Sequence, residues 1–279
     1  MRAFVTPFSP PLSLSEAQLA FPEYSLSRGL TAGGQGGVFV GHHPLHGECV
    51  LKVVSPEYVV RTEREVDVLR AMSEPSIIQL LDSGHANVRG DPVFFHVTPF
   101  IEGEDLAQCV SRHGSLPEAA VSALLTRMSN AILALWSCGI VHRDIKPGNI
   151  LLSDTEGAIL IDLGMARHLR QTTLTLPWQC PGTEGYMSPE HAKGERQLTV
   201  KSDVFELGIA AFFSLCGEHP FYGDQARIMS GNAPPTARDR VSCSHLISDL
   251  LANMLRTRPL LRPMPEQILS ILMNGLGTA

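Results

Sequence analysis

The stretch VHRDIKPGNILL, residues 141 to 152, holds the densest group of chemically reactive side chains in this chain. It places a carboxylate, a cation and an amide, those of Asp144, Lys146 and Asn149, within six residues. Such a cluster is costly to bury unless its members have partners, so it indicates a site with a chemical task. Thirteen residues after Asn149 comes Asp162, directly after the apolar run 158–161. A strand that delivers a carboxylate beside an amide offers the oxygen ligands that Mg²⁺ prefers.

A further charged residue lies in the apolar run VLKVV, where Lys52 is an unusual occupant unless it is paired. Glu65 lies in the helical window TEREVDVLRAM, residues 62 to 72, and is a candidate partner. The alternative is an ordinary strand lysine whose ammonium group reaches water.

Composition bounds the class of protein. The chain has 279 residues, 44% of them apolar, which is enough for a well-buried core. Its net charge of -6 gives no electrostatic reason to expect a nucleic-acid partner. The six cysteines are scattered without a C-x-x-C pair, which indicates reduced thiols and a cytoplasmic location, with a single disulfide as the alternative. No segment reaches the ~18 continuous apolar residues of a membrane span.

The predicted secondary structure changes along the chain. Residues 1 to 24 contain three closely spaced prolines and are expected to form an irregular tail. Residues 25 to 101 hold short β-branched and aromatic runs, including 77–84 and 92–100, interrupted by the single helical window. Residues 102 to 279 are mainly helical, apart from an expected hairpin at 149–153 and 158–164. The expected helices are 115–136, with Ser115 and Glu118 at capping-box spacing, and 202–215, 243–255 and 265–274.

An ordered set of motifs extends over nearly the whole chain. HRDIKPGN is followed by DLG at 162–164, GTEGYMSPE at 182–190, KSDVFELG at 201–208 and RP at 262–263. This set resembles the eukaryotic-like (Hanks-type) Ser/Thr protein kinases, and the wording of its motifs is most similar to the bacterial branch. The resemblance implies an α+β, two-lobed kinase fold. A small antiparallel N-lobe with one helix would comprise 25–101 and a larger helical C-lobe 102–279, with 25–275 together forming one kinase domain.

The resemblance implies transfer of the ATP γ-phosphate to Ser or Thr of protein substrates. Lys52 would pair with the α- and β-phosphates and with Glu65. Asp144 would orient the substrate hydroxyl and accept its proton, and Lys146 would neutralise the transferring group. Asn149 and Asp162 would hold Mg²⁺, with Mn²⁺ as an alternative. Thr183, together with Lys146, matches the Ser/Thr-specific pattern rather than the Tyr-specific one.

The glycine run LTAGGQGGVFVG, residues 30 to 41, would cover the ATP phosphates, although by itself it equally fits a surface hairpin. Adenine would bind at the joint between the lobes, with Thr98 as gatekeeper. For Asp105 the resemblance implies a ribose contact, and the alternative is a helix cap. The implied nucleotide-binding residues, besides Lys52, Asn149 and Asp162, are Thr31, Gly33, Gly36, Val38, Val50, Thr98, Pro99, Ile101, Asp105 and Leu151.

Other matching residues are expected to be structural. Asp203 would hold the catalytic-loop backbone, and Glu190 and Arg262 would form a buried ion pair. An apolar stack would comprise Leu69, Leu80, His142 and Leu163. Three positions depart from the family pattern: Thr31 replaces a glycine, Leu163 replaces a phenylalanine, and Glu65 follows Lys52 by only 13 residues. The short spacing leaves Glu63 as an alternative partner of Lys52.

The segment from Asp162 to Glu190 contains 29 residues and is long for a loop. In this family, the arginine before the catalytic aspartate, here Arg143, commonly receives a phosphate from that segment. The candidate phosphorylation sites are Thr175, then Thr173 and Thr172. Autophosphorylation in trans would use a homodimer. The alternative is a segment ordered by packing of Trp178.

Two other functional classes compete with an active protein kinase. A pseudokinase would bind nucleotide without transfer, but every charged catalytic position of the family is filled here. A small-molecule kinase of the same fold is disfavoured by PGTEGYMSPE, which in protein kinases shapes a peptide-docking surface.

Overall fold

The structure of the protein is a computed structural model that describes residues 8, 11–30, 36–54, 59–163, 167–168, 182–195 and 198–276. The side chain of Glu65 lies outside the described part. So do several residues singled out in the sequence, namely Thr31, Gly33, Thr172, Thr173, Thr175 and Trp178. The chain divides into two compact units: Met1–Ser73 with Ile78–Glu102, and Glu74–Ile77 with Gly103–Ala279.

The first unit is built on one antiparallel sheet of five strands in the order β1-β2-β3-β5-β4. Its elements are α1 (Leu14–Ala20), β1 (Ser25–Leu30), β2 (Gly36–His43), β3 (Gly47–Val54), α2 (Val59–Ala71), β4 (Asp82–Val88) and β5 (Asp91–Pro99). Side chains alternate between the two faces of a strand, so the register separates the sheet into two surfaces. One surface forms an apolar core with Phe39, Leu51 and Val97.

The expectation of an irregular tail over residues 1–24 is wrong for α1. Ser13 caps this helix in a capping box with Glu16, a signal present in the sequence beside the prolines. Ala17 and Phe21 are buried in the core under the sheet. The tail therefore contributes a helix to the first unit.

The expected strand at 77–84 is also corrected, since β4 begins only at Asp82. Ile77 forms an isolated bridge with Leu160, and the Leu160 amide donates to the Ser76 carbonyl at 2.9 Å. Residues 74–77 therefore belong to the second unit, where the Ser76 carbonyl and the Ile77 amide are bonded outside the five-stranded sheet.

The second unit is mainly helical. It contains β6 (Glu104–Asp105), α3 (Leu106–His113), α4 (Glu118–Ser137), β7 (Ile140–Val141), β8 (Ile150–Ser153), β9 (Gly157–Leu160), β10 (Arg167–His168), α5 (Pro189–Ala192), α6 (Val200–Cys216), α7 (Gln225–Met229), α8 (His245–Met254) and α9 (Pro265–Leu276). The strands β8 and β9 form the hairpin that the sequence predicted.

Helix α4 is long and apolar enough to cross a membrane by length and composition. Its apolar residues, including Val121, Leu125 and Ile132, are buried in the second unit, where α4 packs against α6 and α9. This is the burial of a core helix. The expected capping box does not form, because Pro117 is the N-cap and the Glu118 carboxylate accepts from the Ser244 amide at 2.8 Å.

Helix α6 is buried along nearly its whole length and carries polar residues among apolar ones. The Arg262 guanidinium binds both oxygens of Glu190, at 2.6 and 2.9 Å, and stacks over the ring of Phe205. Arg262 also donates to three backbone carbonyls, and Ser202 donates to Glu190 at 2.7 Å. The predicted buried ion pair is confirmed.

We expect Glu190→Ala to lower the free energy of unfolding by about 3–5 kcal/mol, because it leaves the Arg262 charge buried without its carboxylate. The control is Glu218→Ala, which breaks the partly exposed pair with Arg240 and should cost about 1 kcal/mol or less. Urea denaturation followed by circular dichroism measures both. Equal losses in the two variants would contradict the assignment.

Candidate active site

The central feature of the second unit is the loop from His142 to Asn149, which leaves β7 and enters β8 through a 3₁₀ turn, Pro147–Asn149. Arg143 in this loop has a φ of 74°. A non-glycine residue in the left-handed region is strained and persists only where its surroundings hold it.

Side chains accept hydrogen bonds from four consecutive loop amides. Asp203 accepts from the His142 and Arg143 amides at 2.9 Å each, which confirms its predicted structural role. The His142 ring, through Nδ1, accepts from the Asp144 amide at 3.2 Å. Glu206 accepts from the Ile145 amide at 2.9 Å. The backbone on both sides of the Asp144 side chain is thus fixed by side chains.

The acceptor role of His142 requires an unprotonated Nδ1. Complete burial lowers the pKa of this imidazole, and the nearby Asp144 and Asp162 only partly oppose that effect. His142 is therefore neutral at physiological pH.

The Asp144 carboxylate accepts four hydrogen bonds. Lys146 Nζ donates to Oδ2 at 2.9 Å, and the side-chain Nδ2 of Asn149 donates to the same oxygen at 3.1 Å. The other oxygen, Oδ1, accepts from the backbone N–H of Thr183 at 3.0 Å and from its hydroxyl at 2.6 Å. Lys146 also donates to the Thr183 hydroxyl at 2.5 Å. The structure thus brings together a carboxylate, an ammonium and a hydroxyl that are up to 39 positions apart.

Asn149 and Asp162 lie on adjacent segments. The Ile161 amide donates to the Asn149 carbonyl at 3.0 Å and extends the β8–β9 pairing by one step, so Asp162 follows directly. The Asn149 amide nitrogen donates to Asp144, and the remaining polar atom of that side chain is its carbonyl oxygen. An amide oxygen and a carboxylate are the donor set that Mg²⁺ takes, so these two residues fit the expected metal.

In the first unit, four of the predicted nucleotide-binding residues share one face of the sheet. Val38 lies opposite Lys52, and Val50 lies opposite Thr98. Since residues two apart on a strand face the same way, all four belong to the surface opposite the Leu51 side of the sheet. Pro99 ends β5, and Ile101 follows it outside the sheet. Glu63, the alternative partner of Lys52, lies 3.4 Å from the imidazole of His85.

Two further predicted residues lie in the second unit. Asp105 is the N-cap of α3 and accepts from the Gln108 amide at 2.9 Å, so the capping alternative is confirmed while a ribose contact stays a prediction. Leu151 lies opposite Asp105 in the β6–β8 pairing.

A comparison with protein families extends these local observations to the whole chain. The model described as "Protein kinase domain" matches residues 24–272. The chain belongs to the protein kinase family. The predicted two-lobed kinase fold, with an antiparallel sheet in one unit and helices in the other, is confirmed. Members of this family use ATP and a divalent metal ion and act on proteins.

The similar curated proteins are bacterial kinases. One is "Probable serine/threonine-protein kinase PkwA" of Thermomonospora curvata, 36% identical over 72% of this chain and 27% of that protein. PknB of Mycobacterium leprae is 32% identical over 64% of this chain and 30% of its own length. The kinase drp72 of Corynebacterium efficiens is 30% identical over 87% of this chain and 48% of its own length. The predicted resemblance to the bacterial Hanks-type kinases is confirmed, and the matches span less than half of these relatives.

Glu206 of this kinase domain was not among the functional residues that the sequence predicted. This residue is buried in α6 three positions after Asp203, and its other oxygen lies 3.2 Å from Nδ1 of the buried His191. The signal was present as a single carboxylate inside the apolar run VFELGIAAFF. Burial of an acid in such a run requires partners, and here they are a loop amide and an imidazole.

The segment that contains Thr183 is held at its far end by α7 and by the residues before it. The Gln225 side chain accepts from the Gly185 amide at 3.0 Å and donates to the Met187 carbonyl at 2.9 Å. Gly185 has a φ of 86°, and a Cβ there would lie 2.5 Å from the Gly223 carbonyl oxygen, so only glycine fits. His219 packs edge-on against Tyr186 and accepts from two backbone amides at 3.0 Å.

These contacts make the stability of the kinase domain depend on pH. Burial lowers the pKa of His219 to about 4, whereas an unfolded chain titrates this group near 6.5. Between those values the unfolded state binds a proton that the folded state does not, so stability falls as the pH falls through this window. We expect His219→Gln to show a smaller loss of melting temperature between pH 7 and pH 5 than the wild type.

The control for this experiment is the exposed His245→Gln, which should show the wild-type loss. The buried His142 keeps part of the acid sensitivity in every variant. If His219→Gln loses as much as the wild type over the same interval, His219 does not carry the effect.

Proposed function

We propose that this domain is an ATP-dependent protein Ser/Thr kinase. The observation that carries the proposal is the arrangement around Asp144, whose carboxylate binds both the amide and the hydroxyl of Thr183 while Lys146 binds the same carboxylate and hydroxyl. A hydroxyl held against a carboxylate and an ammonium is the environment that a substrate Ser or Thr requires.

Each catalytic side chain has a proposed task. Asp144 orients the substrate hydroxyl and accepts its proton, with its position fixed by Asn149 and by the loop amides. Lys146 places a positive charge beside the transferring phosphoryl group. Asn149 and Asp162 hold the divalent cation, for which we propose Mg²⁺, with Mn²⁺ as an alternative. The bound ATP–metal complex supplies the phosphoryl group and neutralises part of its charge.

We assign the nucleotide contacts separately in each unit. In the first, Lys52 binds the phosphates, Val38 and Val50 contact the base, and the Pro99 carbonyl and Ile101 amide bind its edge. We retain Glu65 as the partner of Lys52, because Glu63 is engaged near His85. The remaining proposed contacts are Thr31, Gly33, Gly36, Thr98, Asp105 and Leu151.

Two rival functions remain as outcomes of experiment. A pseudokinase would bind ATP without phosphorylating protein, and a small-molecule kinase would hydrolyse or transfer without a protein acceptor. The contacts of Thr183, Gly185 and Met187 hold the GTEGYMSPE segment, residues 182–190, in place. They favour a protein substrate, because this segment shapes a peptide-docking surface in protein kinases.

We expect the wild-type protein to phosphorylate a generic basic protein with labelled ATP and Mg²⁺. Asp144→Asn should lower kcat by about 10²-fold or more, since the proton acceptor is lost. Asp162→Asn should leave only a few per cent of activity, because a full charge leaves the metal site. The control Asp154→Asn, in the exposed turn between β8 and β9, should remain active.

Several outcomes of this assay would contradict the proposal. An inactive wild type that still binds ATP would indicate a pseudokinase, and ATP turnover without labelled protein would indicate a small acceptor. Unchanged kcat in Asp144→Asn would remove Asp144 from its role as base.

We further propose that the domain phosphorylates its own activation segment, at Thr175 in preference to Thr173 or Thr172, through a transient homodimer. The strained Arg143, adjacent to Asp144, supplies a cation for the phosphate. Trypsin should release residues 171–193 as one peptide, which also contains Thr183 and Ser188. Its mass should rise by one or more phosphates after incubation with ATP and Mg²⁺.

The control for the peptide experiment is Asp162→Asn, whose peptide should stay unmodified alone and become modified when mixed with the active enzyme. Modification of an affinity-tagged Asp162→Asn variant, repurified from the mixture before digestion, supports transfer between two molecules, because the 171–193 peptides of the two proteins have the same mass. An active wild type whose peptide stays unmodified would rule out autophosphorylation of this segment.

We propose a cytoplasmic location, with ATP and protein substrates as partners and no nucleic acid. The support is chemical: the five described cysteines are free thiols, as expected in a reducing compartment. The net charge of -6 agrees with protein rather than nucleic-acid partners.

A further inference from the structure

Glu206 is a buried acid to which the proposed mechanism gives no role. It is 1% exposed, as is His191, in the interior of the second unit. One of its oxygens accepts from the Ile145 amide at 2.9 Å, and the other lies 3.2 Å from His191 Nδ1. Ile145 is the residue directly after the catalytic Asp144.

The two contacts of Glu206 close a ring of interactions. From Asp144 the chain runs to Ile145, whose amide binds Glu206, and Glu206 binds His191 of α5. The chain leads back from His191 to Thr183, whose hydroxyl and amide bind Asp144. Displacement of either Ile145 or His191 therefore strains the contact between Asp144 and Thr183.

The other buried charged residues near this ring bind different parts of it. Asp203 binds the amides before Asp144, and the Glu190–Arg262 pair ties α5 to α6 and to the residues before α9. After Asp144, Glu206 accepts from the Ile145 amide, and the Asn149 side chain donates to the Asp144 carbonyl of the same peptide unit at 2.8 Å. Asn149 is itself part of the loop, so Glu206 is the residue that ties this peptide unit to helix α6.

We propose that Glu206 is a positioning residue for Asp144, acting through the Ile145 amide and held in place by His191. This inference rests on the proposed kinase activity. It predicts that the positions of the hydrogen-bonding atoms of residue 206 affect kcat more than the charge of its side chain does. Glutamine can accept from Ile145 with its oxygen and donate with its nitrogen to Nδ1 of the His191 tautomer that carries its proton on Nε2.

The charged groups around Glu206 are Asp203 on the same helix, Asp144 on the loop and His191 on α5. Burial raises the pKa of the Glu206 carboxyl, whereas the bonds from His191 and from Ile145 lower it. A neutral amide at this position removes the repulsion from Asp203 and Asp144 while keeping the two bonds.

The test compares Glu206→Ala, Glu206→Gln and a stability control under steady-state kinase assay. Glu206→Ala should lower kcat by about tenfold or more while the KM for ATP changes by less than about twofold. Glu206→Gln should restore kcat to within about threefold of the wild type. The control is Leu215→Ala, a buried position on the same helix about 14 Å further along its axis, which should lower the melting temperature and keep kcat.

Two results would overturn the proposal. One is a kcat for Glu206→Ala no lower than that of Leu215→Ala at a temperature where both variants are folded. The other is a Glu206→Gln variant as impaired as Glu206→Ala. His191→Ala keeps the Ile145 bond and should lose less kcat than Glu206→Ala, so a greater loss would transfer the role to His191.

Hydrogen exchange on the wild-type protein tests the same contact if Glu206→Ala fails to fold. The Ile145 amide should be protected as strongly as the Asp203-bound amides of His142 and Arg143, and rapid exchange at Ile145 alone would overturn the proposal. This measurement needs no activity, so an inactive wild type would refute the kinase function without deciding the role of Glu206.

Discussion

Two carboxylates on one face of α6, those of Asp203 and Glu206, hold the loop that carries the proposed catalytic groups. They accept from three of the four consecutive amides between His142 and Ile145, and the ring of His142 accepts from the fourth. A loop of this kind would otherwise leave polar backbone groups buried without partners. The helix therefore supplies both the core of the second unit and the geometry of Asp144.

This arrangement places like charges close together in a buried environment. Burial raises the pKa of both carboxyl groups, and the charge of Glu206 further raises the pKa of Asp203. The backbone amides and His191 offset part of that cost through hydrogen bonds to the carboxylates. The left-handed backbone of Arg143 is a second strained feature, and the Asp203 bond to its amide helps to maintain it. The loop conformation therefore has a high free-energy cost and depends on the few side chains that bind its amides.

The motifs predicted most of the kinase fold, because each has a fixed chemical task at a fixed place in the chain. Asp203, Glu190 and Arg262 could be assigned from those motifs alone, and the structure confirms their contacts. Local signals without a motif were less reliable. Ser115 and Glu118 have capping-box spacing, yet Glu118 binds Ser244, which is 126 positions away, and no local pattern encodes that contact. Glu206 was missed for the same reason, since its partners are distant in sequence.

The contacts that stabilise the second unit are the contacts that position its proposed catalytic groups. Glu190 binds Arg262 and Ser202, and its neighbour His191 binds Glu206, so the short helix α5 is fixed to α6 at two adjacent residues. The segment before α5 carries Thr183 onto Asp144. Because the core of the unit and the site share these residues, a substitution that loosens α5 will also move Thr183. Stability and activity should therefore fall together for variants of α5.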